Sequence, residues 1–124
     1  MKVNCGTDII EISRIKESIE SAGEVFLNRV YTEKEIEYCE SKKVQKYQSY
    51  AARFAAKEAI FKAISIQLDD KYSVCWKDIE ILNGKQGRPI VNLYGIDMKN
   101  IESVDVSLSH CKDYAIAYAT VVRN

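Results

Sequence analysis

Residues 49–64 read SYAARFAAKEAIFKAI, and the fold is decided by how this stretch is placed. Ala52, Ala56, Ala59 and Ala63 recur at spacings of four, three and four, so they share one face of a helix. Side chains that small let another backbone approach closely, which makes this helix the piece others pack on. Phe54 and Phe61, one heptad apart, are expected in the core. Glu58 lies among the alanines next to Lys57. A carboxylate in a small-residue region is either a solvated surface charge or a group that holds something.

Upstream, KVNCGTDI alternates Val3, Cys5, Thr7 and Ile9 against Lys2, Asn4, Gly6 and Asp8, the period of a strand. Ile12, Ile15, Ile19 and Ala22 then form a helical stripe, with Gly23 as its stop. Phe26, Leu27, Val30 and Tyr31 read as a buried connection. Thr32 and Glu35 offer a capping box for a short helix that carries Ile36 and Cys39 inward. ESKKVQKYQ is polar and reads as a loop or frayed helix end. Downstream the period changes. WKDIEIL alternates up to a turn at NGKQGRP, and IVNLY returns as its partner strand. VDVSLS and YAIAYATVV are further strands around a turn at HCKD. The expectation is an α+β domain with helices early, a mostly antiparallel sheet late, and the first strand joining that sheet.

A length of 124 residues predicts one domain over 1–124, able to build a core without staples. Lys plus Arg and Asp plus Glu are both 18, so no bulk attraction to nucleic acid is implied. Cys5, Cys39, Cys75 and Cys111 are scattered and His110 is the sole histidine, which argues against a zinc cluster. Each cysteine is expected to be a small buried hydrophobe. No secretory h-region or membrane-length apolar run occurs, and the chain is expected to be cytoplasmic with reduced thiols.

Singly, the charged residues of the helix read as a solvated face. Glu58 and Lys62 form an i, i+4 pair, worth about 0.2–0.5 kcal/mol at a surface. Arg53 and Lys57 are also four apart, and Asp8 is a turn carboxylate or a cap. Together they suggest more. A carboxylate and two cations, Glu58 with Lys62 and Arg53, suit a metal-bound phosphate, and magnesium takes one or two protein carboxylates with phosphate oxygens and water. Asp8 supplies the second carboxylate if the strand end meets the helix. GKQGRP is no P-loop, because no Gly-Lys-Ser/Thr follows. Ser109, His110 and Asp113 make no hydrolase triad, since strand neighbours face opposite ways and no G-x-S-x-G elbow is present.

CGTDIIEISRI, ARFAAKEAIFKAI, DIEILNGKQGRP and VSLSHCKDYAIA follow one another in an order and at a chain length that resemble the holo-[acyl-carrier-protein] synthases, small bacterial phosphopantetheinyl transferases. The resemblance covers nearly the whole chain. It implies transfer of the phosphopantetheine arm of coenzyme A to a serine of an apo acyl carrier protein, with release of adenosine 3′,5′-bisphosphate. It implies magnesium on Asp8 and Glu58 and a phosphate contact from Lys62. Arg53 and His110 match basic positions near the nucleotide end of coenzyme A. Arg14, with Arg29 as a second contact, matches the side that meets the carrier. The family works as a homotrimer with coenzyme A between subunits, and serves carriers such as those of fatty-acid synthesis. Neither a nucleic acid nor a membrane is an expected partner. Glu58, directly or through a metal-bound water, is the candidate to accept the serine proton. The sequence departs from the family in two places. SIQLDDKYSVCW lacks the usual glycine-rich turn, and YGIDMKNIES stands where a longer helix is common. The competing readings are a non-catalytic carrier-protein or nucleotide-binding module of the same fold, and an unrelated magnesium-dependent phosphohydrolase.

Overall fold

The computed structural model describes residues 1–68 and 74–124. The chain begins with strand β1 (Lys2–Glu11) and runs through helices α1 (Ile12–Ala22), α2 (Glu24–Val30), α3 (Glu33–Ser41) and α4 (Lys46–Ile64). Strands β2 (Ile79–Asn83), β3 (Pro89–Leu93), β4 (Ile101–His110) and β5 (Tyr114–Arg123) follow. The arrangement is α+β, as expected. β1 pairs antiparallel with β5, and β5 with β4, in a three-stranded sheet ordered β1-β5-β4, while β2 and β3 form a separate hairpin.

Helix α4 is the centre of the core. It packs on β1, β5 and β4 on one side and meets α1, α3 and β2 elsewhere. Its first turn begins at Lys46, inside the segment read as loop, after a 3₁₀ turn at Lys43–Gln45. Ala52, Ala56, Ala59 and Ala63 are buried as one face, but so are Ala51, Ala55, Ile60 and Ile64. Such a helix is apolar nearly all round and belongs in the interior. Arg53 and Lys57 are buried too, so the reading of these charges as a solvated face fails for both. They stand on one stripe with Tyr50, Ile60 and Ile64, at spacings of three and four.

Strand β1 carries its period of two with its faces assigned by α4. Gly6 is buried and Asp8 and Ile10 half-buried, while Val3, Cys5, Thr7 and Ile9 face outward. The more apolar face is therefore the exposed one. The helix lies against the other face because only Gly6 lets it in. A Cβ at Gly6 would stand 2.1 Å from the Ala59 carbonyl oxygen.

Helix α1 buries Ile12, Ile15 and Ile19 and ends at Gly23, whose φ of 54° is the left-handed region that favours glycine. Ala22, assigned to the stripe, is exposed, because the helix stops before its last turn reaches the core. The buried connection is the short helix α2, with Phe26, Val30 and Tyr31 inside. The capping box at α3 is formed: Thr32 accepts from the Glu35 N–H, and Glu35 accepts from the Thr32 N–H. WKDIEIL divides into a 3₁₀ turn at Trp76–Asp78 and β2, where Ile79, Glu80 and Ile81 are all buried. Of the cysteines only Cys39 is buried; Cys5, Cys75 and Cys111 lie on strand faces, loops and turns open to solvent. The glycine-free stretch after α4 falls partly outside the described residues. Among those residues no helix is long and apolar enough to cross a membrane.

Candidate active site

The contact at Gly6 fixes the neighbourhood of Glu58. Asp8 is two residues along the same face of β1, and Glu58 and Lys62 flank Ala59 and Ala63 on the helix that rests there. Lys62 Nζ donates to the Thr7 carbonyl at 2.9 Å and meets Asp8 Oδ1 at 3.2 Å. The lysine thus pairs with the strand carboxylate; its i, i+4 neighbour Glu58 is not its ion-pair partner. Half the Lys62 side chain is exposed, so this bridge adds little stability and leaves the ammonium free for a ligand.

Asp8 and Glu58 line one cleft, together with Arg14 from α1 and Tyr114 from β5. Burial pushes the Glu58 carboxyl above its ordinary pKa, the charge of Asp8 pushes it further, and Lys62 pulls it back. Glu11 lines the same cleft, so its acidic side chains are faced by Arg14 on one side and by Lys62, through Asp8, on the other. Among the described residues no cluster of three or more metal-ligating side chains occurs. A solvent-open cleft in which Asp8 and Glu58 come together suits a hard divalent ion that completes its shell with phosphate and water.

On its other side Glu58 borders a cavity of about 290 Å³, lined by Lys57, Phe61, Val74, Cys75, Trp76 and Ile79. Trp76 stacks on Phe54 with ring centroids 4.8 Å apart. Glu58 therefore stands between a cleft of mixed polarity and a mostly apolar one.

Arg53 and His110 lie elsewhere in the protomer. Arg53 is 3% exposed, sits over the Tyr38 ring and donates to the Asn83 side chain, while its Nε has no partner. His110 is exposed at the end of β4. Arg14 projects from α1 into solvent, and Arg29 is exposed on the last turn of α2.

Sequence reasoning misses a buried polar network behind the site. Glu35 and Lys57 are both fully buried and lie 2.8 Å apart. Glu80 accepts from Thr32, Asn92 and Tyr94. Burial alone would raise the Glu80 carboxyl, but these donated bonds outweigh it and hold the group below its usual range. The signal that could have found the network is positional: Arg53 and Lys57 interrupt the stripe of Tyr50, Ile60 and Ile64.

The chain's relatives point to one family. A family model described as the 4'-phosphopantetheinyl transferase superfamily matches residues 4–119. A holo-[acyl-carrier-protein] synthase of Ruminiclostridium cellulolyticum is 48% identical over 126 residues, covering 98% of this chain and 92% of that protein. One from Dehalococcoides mccartyi is 45% identical over 117 residues, covering 90% and 92%. Among solved structures, the Helicobacter pylori holo-[acyl-carrier-protein] synthase in complex with coenzyme A superposes with a TM-score of 0.82 at 32% identity, covering 95% of this chain and 99% of that one. A synthase–coenzyme A complex from Chronobacterium ammoniagenes gives 0.83 at 26% identity, covering 100% and 99%. With its fold and relatives of this closeness over nearly all of its length, the chain belongs to the holo-[acyl-carrier-protein] synthases of the 4'-phosphopantetheinyl transferase superfamily.

Proposed function

We propose that this enzyme transfers the phosphopantetheine arm of coenzyme A to a serine of an apo acyl carrier protein and releases adenosine 3′,5′-bisphosphate. The observation that carries the site assignment is that Asp8 and Glu58, from a strand and a helix far apart in sequence, line one open cleft, with Lys62 bridged to Asp8 beside it. Asp8 and Glu58 would hold magnesium. When bound, that ion would draw charge from the pyrophosphate oxygens as the bridging oxygen leaves. Lys62 adds a positive charge to the same oxygens. A phosphoanhydride of this kind needs positioning and charge neutralisation more than covalent help. Glu58, directly or through a metal-bound water, is the group assigned to take the serine proton. Arg53 and His110 are assigned to the nucleotide end. The exposed His110 is free to reach a neighbouring subunit's site, whereas Arg53 reaches it only if Asn83 yields. Mass spectrometry of an apo carrier incubated with the enzyme, coenzyme A and magnesium tests the reading: one phosphopantetheine should be gained, and no gain defeats it.

Arg14 is the assigned carrier contact, with Arg29 second. It lies at the edge of the Asp8–Glu58 cleft, where an acidic carrier helix would present its serine. Rim charges govern encounter and fade with salt. Arg14→Glu is expected to raise KM for the carrier by about tenfold and leave KM for coenzyme A unchanged. Unaltered carrier kinetics would move the docking surface toward Arg29.

The homotrimer has a surface to use. Val3, Cys5, Thr7 and Ile9 pair across β1–β5 with Val122, Thr120, Tyr118 and Ile116, so one sheet face carries a contiguous apolar stripe. Ile9 is 62% and Tyr118 51% exposed in the lone protomer. Patches of this kind mark interfaces. The alanine face of α4 is buried inside the protomer and takes no part in that surface. Sedimentation should give a trimer. Thiol labelling of the native enzyme should find Cys75 and Cys111 open and Cys5 covered. It should leave Cys39 unreactive, because burial pushes that thiol up to about 12. A fully active monomer with a reactive Cys5 contradicts the assembly.

A further inference from the structure

A fully buried lysine one residue before Glu58 is costly to desolvate unless it holds something. Lys57 Nζ donates to Glu35 Oε1 at 2.8 Å, the Trp76 carbonyl at 3.1 Å and the Ile79 carbonyl, which uses all three of its protons. Glu35 is anchored in turn. Its Oε1 accepts from the Thr32 N–H, and its Oε2 accepts from the Ile81 N–H at 2.8 Å. The start of α3 is thus linked through two side chains to both ends of the Trp76–Ile79 segment. That segment is a wall of the cavity that opens beside Glu58, and its tryptophan stacks on Phe54. Stability alone does not account for the arrangement. Desolvation consumes most of what a buried ion pair gains, and apolar residues of similar volume serve a core as well. A charged donor adds direction: it fixes two carbonyls, and with them one cavity wall.

We infer that Lys57 and Glu35 are positioning residues for transfer: they hold the Trp76–Ile79 wall of the cavity beside Glu58 and so set how coenzyme A seats there. The inference rests on the proposal that the coenzyme A phosphates lie at Asp8, Glu58 and Lys62. Neither residue touches reacting atoms; both act through the wall. The carrier side, at Arg14 and Tyr114, is the opposite flank of Glu58 and is not governed by the pair.

Trp76 is the only tryptophan, so its acrylamide quenching reports the wall without any need for activity. The full-length double variant Lys57→Met/Glu35→Gln removes both charges and strands neither. It is expected to melt cooperatively and to expose Trp76 to quencher. Its KM for coenzyme A should rise about tenfold, with KM for the carrier within about twofold of wild type. Phe54→Leu keeps every buried charge and loosens the same wall from its other side, so it should shift quenching and coenzyme A KM the same way, by less. Phe54 also lines the Asp8–Glu58 cleft, so only those two readouts are taken from it, and quenching that shifts while coenzyme A KM stays unchanged overturns the inference even if the double variant does not fold. Unchanged KM for coenzyme A in the folded variant overturns the inference, as does a loss shared equally by both substrates. An inactive wild type would instead defeat the proposed reaction, and quenching would still decide whether Lys57 holds the wall.

Discussion

Asp8→Ala and Glu58→Ala should each lower transfer by about a thousandfold or more and leave the protein folded. Both side chains face a cleft, and neither belongs to the buried set that forms the core. Glu58→Gln separates catalysis from stability more sharply. The folded-state pKa of Glu58 is raised, by burial first and by Asp8 second, so its ionised form is less at ease folded than unfolded. A raised carboxyl destabilises the fold above its folded pKa, and the penalty is relieved as pH falls through that value. Glu58→Gln should therefore melt above wild type at neutral pH in the absence of metal, with the gap closing as the solution is acidified. The same variant should be inactive. Added magnesium should raise the wild-type melting temperature and leave both Glu58 variants unmoved. Near-normal transfer by either alanine variant, or a Glu58→Gln protein less stable than wild type at neutral pH, would sink the assignment.

The stretch 49–64 discloses the helix because alanines spaced four, three and four apart fall on one helix face but on both faces of a strand. The strand alternations and the capping box are legible for a related reason: period and cap chemistry are local properties. What stays hidden is what depends on the partner element. Nothing local says that β1 turns its apolar face outward, since that follows from α4 occupying the Gly6 face. Nor does a sequence show that Lys57 is buried while Glu58, its neighbour, is half-exposed; on a helix one residue is about 100° of rotation. Glu35 can be assigned as a capping residue, but its second role requires β2 and α4 to arrive from elsewhere. Lys62 pairs with Glu58 on a sequence reading because four residues apart is the nearest partner, and Asp8 displaces it across 54 residues of chain. Of the site residues named from family resemblance, Asp8, Arg14 and Glu58 line one cleft, and Lys62 bridges to Asp8 beside it. Arg53 and His110 do not reach it in the protomer, and a shared site between subunits is how the proposal accommodates His110.

Gly6→Ala should be the most damaging small substitution outside the proposed ligands. The added Cβ would lie 2.1 Å from the Ala59 carbonyl oxygen and 3.0 Å from both the Ala63 nitrogen and Lys62 Cβ. The first two are backbone atoms of α4, on residues one turn apart, so no rotamer change relieves the contact. Strand and helix must separate. Overpacking of this kind costs about 3 kcal/mol, which for a domain of this size lowers the melting temperature by roughly 10 °C. The separation also acts on the chemistry, because Asp8 is carried by the strand and Glu58 and Lys62 by the helix. A displacement of about 1 Å between them is enough to lose about a hundredfold in rate. Gly84→Ala provides the contrast. Its Cβ would stand 2.5 Å from Ile90 Cδ1, the end of a flexible side chain that is 47% exposed and can swing aside. Urea melts and transfer assays of the two variants should therefore diverge, with Gly84→Ala near wild type in both and Gly6→Ala reduced in both. If Gly6→Ala kept wild-type stability and activity, the close seating of α4 on β1 would not be what brings the carboxylates together.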